Sequence, residues 1–336
     1  MKRVAYFDNM KFILIVLVVI GHFIDQYTDN SRLFKAMYLL IYTFHMPLFL
    51  FLSGLFDKRG EPLADKARKG IYYISLSVLL KCLISLTRFI MTGKWSFQLL
   101  SESGIPWFCF ALGVFIILTG VLARIKIKLY AVIAVNIIIA CFTGLDKSIG
   151  DLLCLSRIIV FYPFFLLGTM INKESIQRIP AKRAVRILSF VFLLALCVFA
   201  YLYLDKVYVM RHIFTGRNPF NASVRSQGPL LRLACYAVTA VIGFAFMMIV
   251  PAGRLKILTC FGERTLQVYF WHRPVLYVLT YSGIHTRICS AGVPGKLCWV
   301  LLAVLVACVF SLKCFGFPVK QLKTWLISPE TKELRT

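Results

Sequence analysis

"MKFILIVLVVIGHFIDQ", residues 10–26, is apolar enough to cross a bilayer, yet it carries Lys11 near its start and His22 eleven residues later. Roughly 17–25 predominantly apolar residues let a helix span a hydrocarbon layer of about 30 Å. Similar runs recur along the chain, over about 36–56, 71–92, 106–123, 129–144, 154–171, 187–204, 230–250, 266–282 and 296–316, after a first span at about 11–27. Composition agrees: 60% of the 336 residues are hydrophobic, 16% are charged, and mean hydropathy is +0.79. Soluble domains hold about 25% charged residues. The predicted fold is all-α, a polytopic membrane protein with about ten transmembrane helices and no soluble domain between them. Lys2 and Arg3 precede the first run as in a signal peptide, but no small-residue cleavage pattern follows, so it reads as a retained helix.

Basic residues accumulate in cytoplasmic loops. With the N-terminus inside, the clusters Lys58–Lys69, "RIKIK" at 124–128 and Lys173–Arg186 all fall on the cytoplasmic side, which predicts that both termini are cytoplasmic. The longest connection, about 205–229, contains "TGRNPFNASVRSQGP" and reads as an irregular loop. It lies on the other side, where the 205–235 region holds Lys206, Arg211, Arg217, Arg225 and Arg232. A long loop obeys the charge rule weakly, and such a loop also suits an anionic acceptor. The net charge of +25 does not argue for nucleic acid, because most of it sits in flanks that meet anionic lipid headgroups. Those flanks would also draw a polyanionic cofactor toward an inner mouth. Eleven cysteines, without a C-x-x-C pair or zinc spacing, argue against a disulfide scaffold or a metal.

Ionisable residues inside spans mark candidate sites. Lys11 and His22 are separated by three helical turns plus about 20°, a rise of roughly 16 Å, so they share one face at different depths. Asp8 and Asp25 stand three residues outside them on the same stripe. Lys11 reads either as a snorkelling anchor or as a cation for a bound anion. His22 reads either as a packed core histidine or as a proton acceptor, with Asp25 one turn on to fix its tautomer. The second span holds "YTFHMPLFLFLSGLF", in which His45 is central, Pro47 removes a helical donor, and Ser53-Gly54 permits close approach of another backbone. In the ninth span "GERTLQVYFWHRPVLY" places His272 and Arg273 before Pro274, with Arg273 suited to phosphate or headgroups. Arg157 reads as an anchor. His22, His45 and His272 are expected at successive levels, from the outer half through the centre to the inner half.

"YFDNMKFILIVLVVIGHF" followed by "YTFHMPLFLFLSGLF" resembles the opening of the acyltransferase 3 family of membrane-bound acyltransferases, in its fucose 4-O-acetylase-like or polysaccharide O-acetyltransferase branch. "IPWFCFALGVF", "RIIVFYPFFLLG" and "FGERTLQVYFWHRPV" are similar to later family segments in the expected order, so the resemblance covers the chain. Cys109 stands where the family more often has leucine. The resemblance implies one transmembrane domain over 1–336, with a short cytoplasmic tail at about 317–336. It implies transfer of an acetyl group from cytoplasmic acetyl-CoA to a hydroxyl of a cell-surface glycan or lipid-linked sugar, in a bacterial plasma membrane. Joined to the residues, it makes His22 the base, Asp25 its orienting acid, and His45 or Ser53 the oxyanion donor. Lys11, Arg68, Lys69 and Arg273, with His272, are then the cofactor-binding set. A homodimer or polysaccharide-biosynthesis partners are compatible with it, as are membrane lipids as contacts. Two other readings stay open at this stage: a transporter or flippase for such an intermediate, and a non-catalytic assembly partner.

Overall fold

A backbone without access to water must satisfy its own hydrogen bonds, so each apolar run is driven into a helix. The computed structural model describes residues 4–58, 60–100, 104–150, 152–178 and 182–327, and shows no strand among them. The runs become α1 (Ala5–Ile24), α2 (Arg32–Leu55), α3 (Leu63–Thr92), α4 (Trp107–Arg124), α5 (Leu129–Thr143), α6 (Leu155–Met170), α7 (Arg183–Leu202), α8 (Gly228–Ile249), α9 (Thr265–Tyr281) and α10 (Gly292–Phe310). Seven of these, α1 to α4, α7, α8 and α10, are long and apolar enough to cross a membrane. The other three are shorter, at 15, 16 and 17 residues for α5, α6 and α9. The protein is an all-α polytopic membrane protein.

The two helices that carry His22 and His45 form its centre. In α1 and α2, 72% of the most apolar stretch is buried, against 11% in α7, whose Leu188, Phe190 and Leu194 face outward as a hydrocarbon-facing surface would. α1 packs on α2, α9, α10 and a short helix at Lys256–Gly262; α2 packs on α6, α7 and α8; α3 packs on α4 and α9. Asn9 anchors α1 to the segment after α8, donating to the carbonyls of Pro251 (2.9 Å) and Gly253 (2.8 Å) and accepting from Thr259 (2.7 Å). On α10, the buried Trp299 indole donates to the Phe23 carbonyl at 2.8 Å.

Pro47 leaves the Thr43 carbonyl of α2 without its usual helical donor, and the Thr239 hydroxyl of α8 donates to it at 2.6 Å. Gly54 and Gly168 bring α2 and α6 into reciprocal backbone contact: a Cβ on Gly54 would strike the Phe165 carbonyl, and one on Gly168 the Phe51 carbonyl. Gly54→Ala and Gly168→Ala are each expected to cost at least 1–3 kcal/mol, since overpacking here can be relieved only by moving backbone. A thermal-unfolding scan of detergent-solubilised protein checks this, and an unchanged midpoint in both variants would refute the close packing.

The segment expected as a tail is in part structured. A helix at Val319–Ile327 packs on α3, and the Tyr72 hydroxyl donates to the Val319 carbonyl at 3.2 Å. The remainder of that tail, 328–336, lies outside the described residues.

Candidate active site

Two cavities meet end to end in the bundle. One, of about 250 Å³, is lined by His22 and Asp25 of the α1 end, Tyr38, Tyr42 and His45 of α2, Arg157 of α6, Arg211 and Arg217 of the long loop, and Arg273 of α9. The other, of about 620 Å³, is lined by Lys11, Ser53, Asp57, Lys69, Arg264, Lys320 and Lys323. We call them the histidine cavity and the lysine cavity. Val18, Met46 and Tyr269 line both and so form the partition.

The helical stripe read from α1 is realised. Lys11, Ile15 and Val18 line the lysine cavity, and Val18 and His22 line the histidine cavity, so one face of α1 serves both chambers. Lys11 pairs with Asp8 at 2.6 Å and lies 5.5 Å from the centre of the Phe56 ring. Lys69 bonds both Glu61 oxygens, at 2.5 and 2.6 Å.

The expected succession of histidine levels is not what the fold produces. Each partition residue lies next to a histidine or within one turn of it: Val18 before His22, Met46 after His45, Tyr269 before His272. His22 and His45 line the histidine cavity, and the buried His272 lines neither chamber but lies against His22. His22 stacks on His272 with ring centres 5.4 Å apart, and the Tyr42 ring lies between His22 (6.4 Å) and His45 (4.7 Å). At the start of α9, Gln267 donates to the Phe310 and Leu312 carbonyls at the end of α10, which fixes the register of these two helices.

Hydrogen-bond partners assign the tautomers. His45 Nδ1 is 2.6 Å from the Ile41 carbonyl and His272 Nδ1 is 3.0 Å from the Val268 carbonyl. A carbonyl only accepts, so each Nδ1 carries the hydrogen and each Nε2 of a neutral ring presents a lone pair. His45 is thus arranged as an acceptor, which does not suit the oxyanion-donor role expected of it. His272 is fully buried and its Nε2 has no protein partner; it belongs with His22 and not with the lysine cavity.

Asp25 does not touch His22 directly. His22 Nδ1 lies 3.4 Å from the Tyr42 hydroxyl, the Tyr42 ring stacks on that of Tyr38 with centres 3.9 Å apart, and Tyr38 and Asp25 line the same cavity. Asp25 lies past the end of α1, in a single 3₁₀ turn, and Tyr38 and Tyr42, one turn apart on α2, line the same cavity. The Arg211, Arg217 and Arg273 guanidiniums also act on Asp25.

Four more placements differ from expectation. Ser53 lines the lysine cavity and donates to the Phe49 carbonyl at 2.9 Å, so it stands on the far side of the partition from His22, about 12 Å along α2 from His45. Arg273 lines the histidine cavity, near Tyr277 (3.4 Å), and not the chamber of Lys11. Arg68 lines neither; it is half exposed and 3.6 Å from Asp65. Arg157 is buried on the cavity wall with its guanidinium 5.0 Å from the Trp107 ring centre, and is no surface anchor. Tyr38, Tyr42, Arg264, Lys320 and Lys323 were not singled out from sequence, although the i, i+4 tyrosines beside His45 and the i, i+3 lysines after Pro318 carry a periodic signal.

The family model described as an acyltransferase domain matches residues 4–313. Over 187 residues the chain is 32% identical to the nodulation protein NolL of Mesorhizobium japonicum, covering 50% of this chain and 47% of that protein. Over 186 residues it is 30% identical to the nodulation protein NolL of Sinorhizobium fredii, covering 50% and 48%. The chain spans about half the length of the curated relatives it matches. No solved structure matches it. Since the family match runs from the start of α1 to just past α10, the chain belongs to this acyltransferase family, as a membrane-embedded member of it.

Proposed function

We propose that the protein is a membrane O-acetyltransferase that moves an acetyl group from acetyl-CoA to a hydroxyl of a glycan or lipid-linked sugar. In this reading the chain is one transmembrane domain of ten spans in a bacterial plasma membrane, with both termini cytoplasmic. The observation that carries it is the pair of back-to-back cavities: one is lined with lysine and arginine, the other with histidine, and three side chains part them. A polyanionic donor and a hydroxyl acceptor could then enter from opposite faces and meet at the partition.

The lysine cavity fits the phosphates of coenzyme A by its donor set. Lys11, Lys69, Arg264, Lys320 and Lys323 line it, against the carboxylates of Asp57 and Glu263. The thioester would reach the partition at Val18, Met46 and Tyr269. There the acceptor hydroxyl gives its proton to His22 Nε2 as its oxygen attacks the thioester carbonyl. The imidazolium that forms is stabilised through Tyr42 and Tyr38 by the Asp25 carboxylate. Arg273, on the same wall, offers charge to the developing oxyanion. The carbon–sulfur bond breaks, the thiolate takes the proton back from His22, and an acetyl ester and coenzyme A leave.

The test is transfer of radiolabel from [acetyl-14C]acetyl-CoA to extracted glycans, in membranes with wild-type chain, Lys11→Ala or Lys323→Ala at matched expression. Each lysine variant is expected to raise KM for acetyl-CoA about tenfold with kcat little changed, the loss of one charged hydrogen bond to phosphate. Absence of both transfer and acetyl-CoA binding in wild type would reject this function.

A further inference from the structure

The histidine cavity carries more charge than proton transfer to a neutral sugar requires. Four guanidiniums line it, from Arg157, Arg211, Arg217 and Arg273, and Asp25 is the one carboxylate among its described lining residues. They come from three separate parts of the chain: α6, the loop between α7 and α8, and α9.

The long loop is not uniformly turned toward this cavity. Of the five basic residues of the 205–235 region, four in the loop and Arg232 in α8, Arg225 is tied to the Leu145 carbonyl at 2.8 Å. Arg232 is buried over the Phe220 ring, with one nitrogen 3.1 Å from Asn218 Oδ1. Lys206 is exposed and lines no cavity described here. Only Arg211 and Arg217 face inward, and Arg211 is positioned by the Tyr208 hydroxyl at 2.5 Å and the Tyr208 ring at 4.6 Å. Between them His212 lines the same wall, where burial, and then the Arg211 and Arg217 charges, hold its imidazole below the usual range.

A planar guanidinium is the side chain best matched to a carboxylate or phosphate, which it can hold through two parallel hydrogen bonds. Guanidiniums crowded on a concave wall repel one another, and that repulsion is relieved when an anion enters. The wall lies within reach of His22, on which both Arg157 and Arg273 act. An anion seated there would hold a neighbouring hydroxyl of the same molecule near the imidazole.

We propose that the acceptor is an anionic glycan, bearing a carboxylate or phosphate that is bound by Arg157, Arg211 and Arg217 while a hydroxyl of the same molecule is presented to His22. This rests on the acetyl-transfer reading for the role of His22, but the binding it requires does not need a donor.

The experiment is therefore equilibrium binding without acetyl-CoA, to the purified full chain in phosphatidylcholine nanodiscs. The probes are radiolabelled trigalacturonate and glucose 1-phosphate, each beside an uncharged counterpart, maltotriose and glucose. At least one anion is expected to bind saturably, at least tenfold tighter than its neutral counterpart. Which of the two binds separates a carboxylate from a phosphate acceptor. Arg211→Gln and Arg217→Gln are each expected to weaken binding about tenfold, as loss of one charge-assisted pair does, and Arg225→Gln to leave it unchanged. Both arginines lie outside the spanning helices, so these variants test the wall without disturbing the bundle. Equal binding of anion and neutral sugar, no anion binding at all, or loss of sugar binding when phosphatidylglycerol replaces part of the lipid would overturn the proposal, the last by assigning the wall to lipid headgroups. Anion binding with no acetyl transfer would reject the catalytic reading and leave the anion site standing.

Discussion

His22→Ala is expected to lower kcat for acetyl transfer by about 10²–10⁴-fold, the usual contribution of a positioned general base. The effect should appear in kcat with little change in KM for acetyl-CoA, because His22 lines the histidine cavity while the cations proposed to bind the donor line the other chamber. Tyr42→Phe is a milder test of the same chain of groups. It removes the hydroxyl 3.4 Å from His22 Nδ1 and with it the proposed path to Tyr38 and Asp25. Its kcat should fall less than that of His22→Ala, and the pH profile of kcat should move, which simple loss of packing would not cause. A His22→Ala enzyme with wild-type kcat would shift the role of base to His45, whose Nε2 lone pair is already set by the Ile41 carbonyl.

Asp57→Ala is expected to destabilise the fold by about 3–5 kcal/mol, the cost of leaving a buried charge without its partner. Lys66 of α3 bonds Asp57 in the connection from α2, and their side chains are 0% and 4% exposed. Burial pushes the Asp57 carboxyl above its ordinary range, and the Lys66 ammonium pulls it back. Neither group is comfortable alone, so Lys66→Met should be similarly costly. The double replacement Asp57→Leu with Lys66→Met should recover most of the loss, because an apolar pair of similar volume often matches or exceeds a buried ion pair. Chemical denaturation in mixed micelles, read by tryptophan fluorescence, distinguishes the cases. Additive losses in the double variant would mean that the two residues act independently. Since Asp57 also lines the lysine cavity, stability and not activity is the proper readout.

Much of the fold was legible in the sequence because it is local. A run of apolar residues long enough to reach across hydrocarbon must become a helix, wherever its neighbours lie. All ten runs did so, with ends within about four residues of expectation except that α3 begins eight residues earlier, α1 begins six earlier and α10 ends six earlier. The close approach at Ser53-Gly54 was likewise readable, since only a small residue allows it. The position of Lys11, Val18 and His22 on one face follows from 100° per residue alone.

What only the tertiary structure decided is depth and company. Helical phase says which residues share a face, but not how far one helix is inserted against the next. Arg273 therefore moved to the chamber of His22, Ser53 to that of Lys11, and His272 onto His22. His22 meets the Tyr42 hydroxyl that another helix supplies and not Asp25, and Arg68 turned outward to Asp65. The arginines of the long loop could not be sorted from sequence, because an irregular segment has no period from which to read a direction. The chain by itself determined an all-helical membrane protein with lysine and histidine on one stripe; the packing of α1, α2 and α9 determined that a partition falls between them, because two chambers exist only where separate helices meet.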